Sequence, residues 1–201
     1  VVVAGGLIQM SSGGSSKGGT ITYLTHSEAW THADPNRNYT GQHIAWFGSY
    51  MHRTLTAYAR AEGAAGSDVV ADLATDTGRS SNGNKTWEFT LRDGVSFEDG
   101  SAITCEDIKY GTMRSYADDV LTGGTTYAKD FLQNPGSYKG PYIQPSADLP
   151  SIICSPSGDS ITYKLSQPIP YFPYVTTFGS FTAIPKAKDT KQNYDNRPLS
   201  S

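Results

Sequence analysis

The stretch KTWEFTLRDGVSFEDGSAITCEDIKY, Lys85 to Tyr110, decides the fold. It opens with Trp87, Phe89 and Leu91 on one side of an alternating run and Glu88, Thr90 and Arg92 on the other. A period of two is the pattern of a half-buried strand. Asp93-Gly94 ends the run with turn chemistry, Val95 and Phe97 predict a second short strand, and Asp99-Gly100 breaks the chain again. Thr104 with Asp107 three residues later is a helix start, because each side chain can satisfy a free backbone N–H of the first turn. The whole reads strand, turn, short strand, turn, capped helix.

Upstream, SSNGNK turns the chain into the first of these strands, and Ala59 to Gly66 is a small-residue linker. Ile44, Phe47, Met51, Leu55 and Tyr58 recur at helical spacing and predict one helix. Ala33-Asp34-Pro35-Asn36 is a loop ahead of it, and Gly19 to Thr25 reads as a strand. Downstream, the Gly-, Pro- and Tyr-rich excursion after Thr122 is too long to be structureless and predicts short helical turns. Ser160 to Ser166 alternates again, with Ile161, Tyr163 and Leu165 on one face, and Pro173 is placed to open a short helix.

The 201 residues fit one or two domains. Sixteen basic and 19 acidic residues are scattered, for a net charge of −3. That argues against a nucleic-acid partner, which needs a clustered basic face. Val1 to Ile8 is apolar but far shorter than the roughly 20 residues that span a bilayer. The SSGGSSKGG that follows has the composition of a flexible tether.

TWEFTLRDGVSFEDGSAITCEDIKYG resembles the signature of extracytoplasmic solute-binding proteins of the peptide/nickel class, family 5, which serve ABC importers. The family pattern T-W-x-F-x-L-R-x-G-V-x-F-x-D-G, then T-x-x-D-V, is matched nearly throughout, with Ile108 where valine is commoner. The signature residues themselves carry packing and turn roles. The resemblance implies an α/β fold of the periplasmic-binding-protein-like type II: the amino-terminal portion of lobe I, a mixed β-sheet with flanking helices. On it, residues 1–18 are a signal remnant and Ser/Gly tether, 19–201 belong to lobe I, and the second lobe lies outside the sequence. It further implies hinge closure of two lobes on an oligopeptide, delivery to ABC permease subunits, an extracytoplasmic location, and no cofactor. Met10 stands where a lipid-bearing cysteine is expected, so contact with the membrane is reduced to a possible anchor.

By the same resemblance, the loop between the Asp-Pro pair and the helix faces the ligand, which makes Tyr39, Thr40, Gly41 and Gln42 the candidate contacts; the alternative is an ordinary surface loop. Trp30 and Trp46 flank this loop and are the platforms an oligosaccharide-binding member would use, whereas Trp87 reads as core. An exported protein keeps disulfides. Cys105 and Cys154, 49 residues apart, are read as one bridge, with two separate small core residues as the alternative. His26, His32, His43 and His52 have no compact ligand spacing and read as solvated, not as a metal site. No G-x-S-x-G, H-E-x-x-H or phosphate loop is present, so a hydrolase is a remote alternative and the chain reads as a non-enzyme.

Overall fold

The computed structural model describes residues 22, 32–196 and 198–200. The tether, Met10, His26, Trp30 and, but for Thr22, the expected first strand lie outside them.

Among the described residues, ten helices and strands follow in order: α1 (Gly41–Tyr50), β1 (Thr56–Tyr58), β2 (Val69–Ala71), β3 (Arg79–Ser81), β4 (Thr86–Thr90), α2 (Cys105–Arg114), α3 (Tyr127–Phe131), β5 (Ile152–Cys154), β6 (Ser160–Lys164) and α4 (Phe172–Val175). Short 3-10 turns fill several connections. β1 and β2 form a two-stranded antiparallel ribbon. The main sheet has the order β3-β4-β6-β5, with each neighbour antiparallel.

The alternation in the deciding stretch becomes β4, with Trp87 and Phe89 buried. In register beside them, Trp87 opposes Tyr163 and Phe89 opposes Ile161. Ile152 on β5 also opposes Tyr163, so a single apolar face is continuous across three strands. The other face carries Glu88 and Thr90 of β4 and Thr162 and Lys164 of β6, half-buried or exposed, as expected of an antiparallel sheet with one wet side. On the dry side Tyr163 meets Phe172 and Phe181 with ring centroids 5.7 and 5.5 Å apart, and Ile108 of α2 joins the same core. Burying a side chain of this size contributes about 1.5–3 kcal/mol each.

α2 begins as the sequence dictates. Thr104 Oγ1 accepts from the Asp107 backbone N–H at 3.3 Å, and Asp107 Oδ2 accepts from the Thr104 N–H at 2.9 Å, a complete capping box. Cys105 in its first turn is bridged to Cys154 at the end of β5, which ties the helix start to the sheet edge. The SSNGNK turn holds three successive residues in the left-handed region, Asn82, Gly83 and Asn84 at φ 51°, 63° and 63°. Asparagine and glycine are the residues that tolerate this. β3 on the far edge is exposed along its length, and Arg79 there pairs with Asp76 and Glu88 at 2.7 and 2.6 Å.

Two expectations change. Val95 and Phe97 do not build a second strand. Phe97 N–H donates to Ser101 O and Ile103 N–H to Val95 O, both at 2.9 Å, closing a tight loop with a single bridge between Ser96 and Ala102. The two Asp-Gly turns lie too close together to leave room for more. The helix expected from Ile44 to Tyr58 ends at Tyr50. The N–H groups of Met51 and His52 both turn back to Phe47 O, at 2.9 and 2.8 Å, and the chain then extends. Thr54 bridges to Thr182 and Thr56 pairs with Ala71. β-branched threonines favour that extended backbone. Leu55, at helical spacing by coincidence, is buried from an extended segment. Short helical turns do occupy the long excursion, and Pro173 sits in the first turn of α4.

Candidate functional site

α1 has two unlike sides. His43 and Phe47, four residues apart, are buried. Gly41, Ile44, Ala45, Gly48 and Ser49 follow the i, i+3, i+4, i+7, i+8 spacing of one helix face and form a wall of a groove of about 270 Å³. The opposing wall comes from Thr54, Ala57, Tyr58 and Arg60 on and around β1, and from Thr177 and Phe178 after α4. Glycines at 41 and 48 leave the helix backbone uncovered, with nothing within 4 Å of either Cβ position. The lining is glycine, apolar carbon and hydroxyl, with Arg60 as its one charge. The Arg60 guanidinium donates to Ser49 O at 2.9 Å.

Aromatics continue from the groove, with Tyr58, Tyr174 and Tyr127 exposed and Phe178 and Phe131 half-buried. Tyr58 approaches Tyr174 at 6.1 Å, and Phe178 approaches Tyr127 at 4.7 Å. Tyr127 stacks on Phe131 at 5.9 Å.

Of the four loop residues singled out from the sequence, Gly41 lies in the groove wall. Tyr39 is 73% exposed, Thr40 is the extended N-cap of α1, and Gln42 is exposed in its first turn. All four stand at one end of the groove wall. Trp46 packs against Phe47 and Tyr50 at 5.0 and 5.5 Å, outside the lining. Trp87 is 6% exposed, in the core. The sequence did not single out Arg60, Thr177 or Phe178, because they reach the groove only through tertiary contact. The helix-face stripe from Gly41 to Ser49 was the one signal available.

Beneath the groove, the histidines differ from the solvated reading. His43 and His52 are buried at 7% and 3% exposure. His43 shares the buried α1 face with Phe47, a spacing visible in the sequence. His52 stacks on Phe47 with centroids 5.7 Å apart, and its Nε2 lies 3.0 Å from Ala33 O. Donation to that carbonyl places the ring proton on Nε2. Burial lowers the His52 pKa, so the ring is neutral at physiological pH. His32 contacts Asp195 at 2.9 Å. Among the described residues no three His, Cys, Asp or Glu side chains gather as a metal site would require.

A buried polar lock holds the loop that leads into α1. The Arg114 guanidinium, fully buried near the end of α2, forms a two-pronged pair with Asp34, Nη1 to Oδ1 at 2.7 Å and Nη2 to Oδ2 at 2.6 Å. Its Nη1 also reaches Asn36 Oδ1 at 2.8 Å, and its Nε reaches Asp189 Oδ2 at 3.2 Å. Tyr110 and Tyr142 donate to the same Asp189 oxygen at 2.7 and 2.6 Å. Burial alone would push the Asp189 carboxyl up; the Arg114 charge and the two hydroxyls hold it below its usual value. The aspartate of the Asp-Pro pair is thus an internal anchor. It fixes residues 34–36 against α2 and, through them, the start of α1.

The profile of the bacterial extracellular solute-binding proteins, family 5 (middle region), matches residues 68–201. The periplasmic murein peptide-binding protein MppA of Escherichia coli (strain K12) is 28% identical over 122 residues, covering 60% of this chain and 22% of that protein. Among solved structures, clavulanic acid biosynthesis oligopeptide binding protein 2 superposes with a TM-score of 0.78 at 33% identity, over 85% of this chain and 31% of that one. Listeria monocytogenes OppA bound to peptide superposes at 0.67 with 16% identity, over 86% and 32%. The fold is accordingly that of the type II periplasmic binding proteins, and the chain spans less than a third of the length of each of these proteins. Among the described residues no helix is long and apolar enough to cross a membrane.

Proposed function

Since the chain belongs to family 5 of the bacterial extracellular solute-binding proteins, we propose that it captures oligopeptides outside the membrane for an ABC importer. Two lobes close on the ligand about a hinge, and the closed form delivers it to the permease subunits. Residues 19–201 contribute to the first lobe on this reading, and tight capture needs the second. The observation that carries it is the groove beside α1. Its wall of exposed helix backbone, apolar carbon and hydroxyls suits an extended chain held by sequence-blind contacts. Tyr39, Thr40 and Gln42 continue that wall as further ligand contacts, with Gly41 inside it. The groove lining offers no carboxylate or imidazole that would activate its hydroxyls, which supports binding over hydrolysis. Trp46 packs away from the groove, which favours peptides over sugars.

The test is native mass spectrometry of the protein purified together with its second lobe, followed by calorimetric titration with a peptide mixture and a panel of oligosaccharides. Co-purifying peptides and saturable peptide heats are expected. Bound sugars, or sugar heats without peptide heats, overturn the reading. The 201-residue chain alone is expected to give no saturable micromolar peptide binding.

A further inference from the structure

Four arginines among the described residues are paired with carboxylates: Arg37 with Asp195, Arg53 with Asp72, Arg79 with Asp76 and Glu88, and Arg114 with Asp34 and Asp189. Arg60 and Arg92 make no ion pair among the described residues; Arg92 is held by the Asp72 and Ala74 carbonyls, and Arg60 is the one that lines the groove. Its bond to Ser49 O, in the last turn of α1, orients one edge of the guanidinium. A guanidinium has five N–H donors, so most of its fork is left for another acceptor. No Asp or Glu lines the groove to compete for it. Next to this charge the surface is apolar, from Ile44 and Ala45 across to Ala57, Tyr58 and Phe178. The volume, about 270 Å³, falls just under the roughly 300–1,000 Å³ of drug-sized sites and suits the end of a chain more than its middle.

We infer that Arg60 is a specificity-determining residue that receives a carboxylate of the bound ligand, with an apolar group of the same ligand lying against Ile44 and Phe178. The carboxylate belongs either to the carboxy terminus of a peptide or to an acidic side chain. Both present the planar pair of oxygens that an arginine fork matches. This inference deepens the peptide-capture reading and rests on it for the nature of the ligand, but its test does not need the second lobe.

The test uses the 201-residue chain and three small probes followed by amide chemical shifts: N-acetyl-leucine, N-acetyl-leucinamide and N-acetyl-aspartamide with a free side-chain carboxyl. N-acetyl-leucine is expected to move the signals of Gly41, Gly48, Ala57 and Thr177, with a dissociation constant on the order of 1 mM for a ligand of this size. N-acetyl-leucinamide is expected to bind about tenfold more weakly, the typical effect of losing one charge-assisted contact. Binding of the aspartate probe assigns the site to side-chain carboxylates as well, and its failure assigns it to carboxy termini. Arg60→Gln is expected to abolish the preference for the acid over the amide, and Arg60→Lys to keep part of it. Arg60 is exposed, so both variants fold, and unchanged shifts in the core verify it. Equal binding of acid and amide, a preference that survives Arg60→Gln, or no movement of groove signals with any probe overturns the inference. A positive result here with sugars in the full protein's cleft would sink peptide capture and leave Arg60 standing.

Discussion

Arg114 ties α2 to Asp34 and to the segment that holds Asp189 and the Lys191 carbonyl, 3.0 Å from its Nη2. Arg114→Leu leaves the Asp34 and Asp189 carboxylates, 0% and 2% exposed, without their cation. Breaking a buried pair from one side costs about 3–5 kcal/mol. For a chain of this length that lowers the melting temperature by about 10 °C; a calorimetric scan showing a drop under about 3 °C would contradict the role given to the lock. His52 yields a pH effect. Burial holds its folded pKa below the ordinary 6.5, so the folded state binds fewer protons than the unfolded one. The stability this neutral ring contributes is full above about pH 6.5 and is lost as pH falls through the lower folded value. His52→Gln cannot titrate. Between about pH 7.5 and pH 5, wild type is expected to lose more melting temperature than His52→Gln, and parallel losses would contradict a buried neutral ring.

At the scale of elements, the helices answer the same substitution with opposite signs. A Cβ on Gly111 of α2 would stand 1.9 Å from Thr182 O. Gly→Ala gains about 1 kcal/mol of helix propensity, but a backbone carbonyl cannot step aside and overpacking costs about 1–3 kcal/mol or more. Gly111→Ala is therefore expected to destabilise. Gly48→Ala in α1, where a Cβ meets nothing within 4 Å, is expected to stabilise by up to about 1 kcal/mol. Urea unfolding of the two variants side by side checks the pair. The elements most legible in the sequence were those whose cause is local. β4 follows from its own alternation, α2 from its own Thr104–Asp107 box, and the left-handed turn from Asn82-Gly83-Asn84. The end of α1 was not legible, because Leu55 and Tyr58 continue a helical spacing while Thr54 and Thr56 answer to partners at Thr182 and Ala71. Of the groove, only the α1 wall left a signal in the sequence, with Gly41 the one residue singled out, since the other wall arrives from residues up to Phe178. The role of Asp34 was hidden for the same reason: its partner is 80 positions away.

For the whole molecule, the Cys105–Cys154 bridge closes a loop of 49 residues. On the chain-entropy account this contributes roughly 4 kcal/mol by restricting the unfolded chain. Denatured protein is expected to show no titratable thiol without reductant and two with it, and reduction to lower the melting temperature by about 10 °C. Two thiols before reduction would contradict the bridge.

The same bridge sits beside β5, one margin of the main sheet, and the opposite margin is β3. A sheet border offers free amides and carbonyls to any passing strand, which is how such proteins polymerise laterally. β3 is only three residues long and carries Arg79, clamped to Asp76 and Glu88. A neighbour docking there would have to bury that charged clasp for very few ladder bonds. Among the described residues the β3 margin therefore gives a second copy little to gain by pairing there, even when the protein is concentrated.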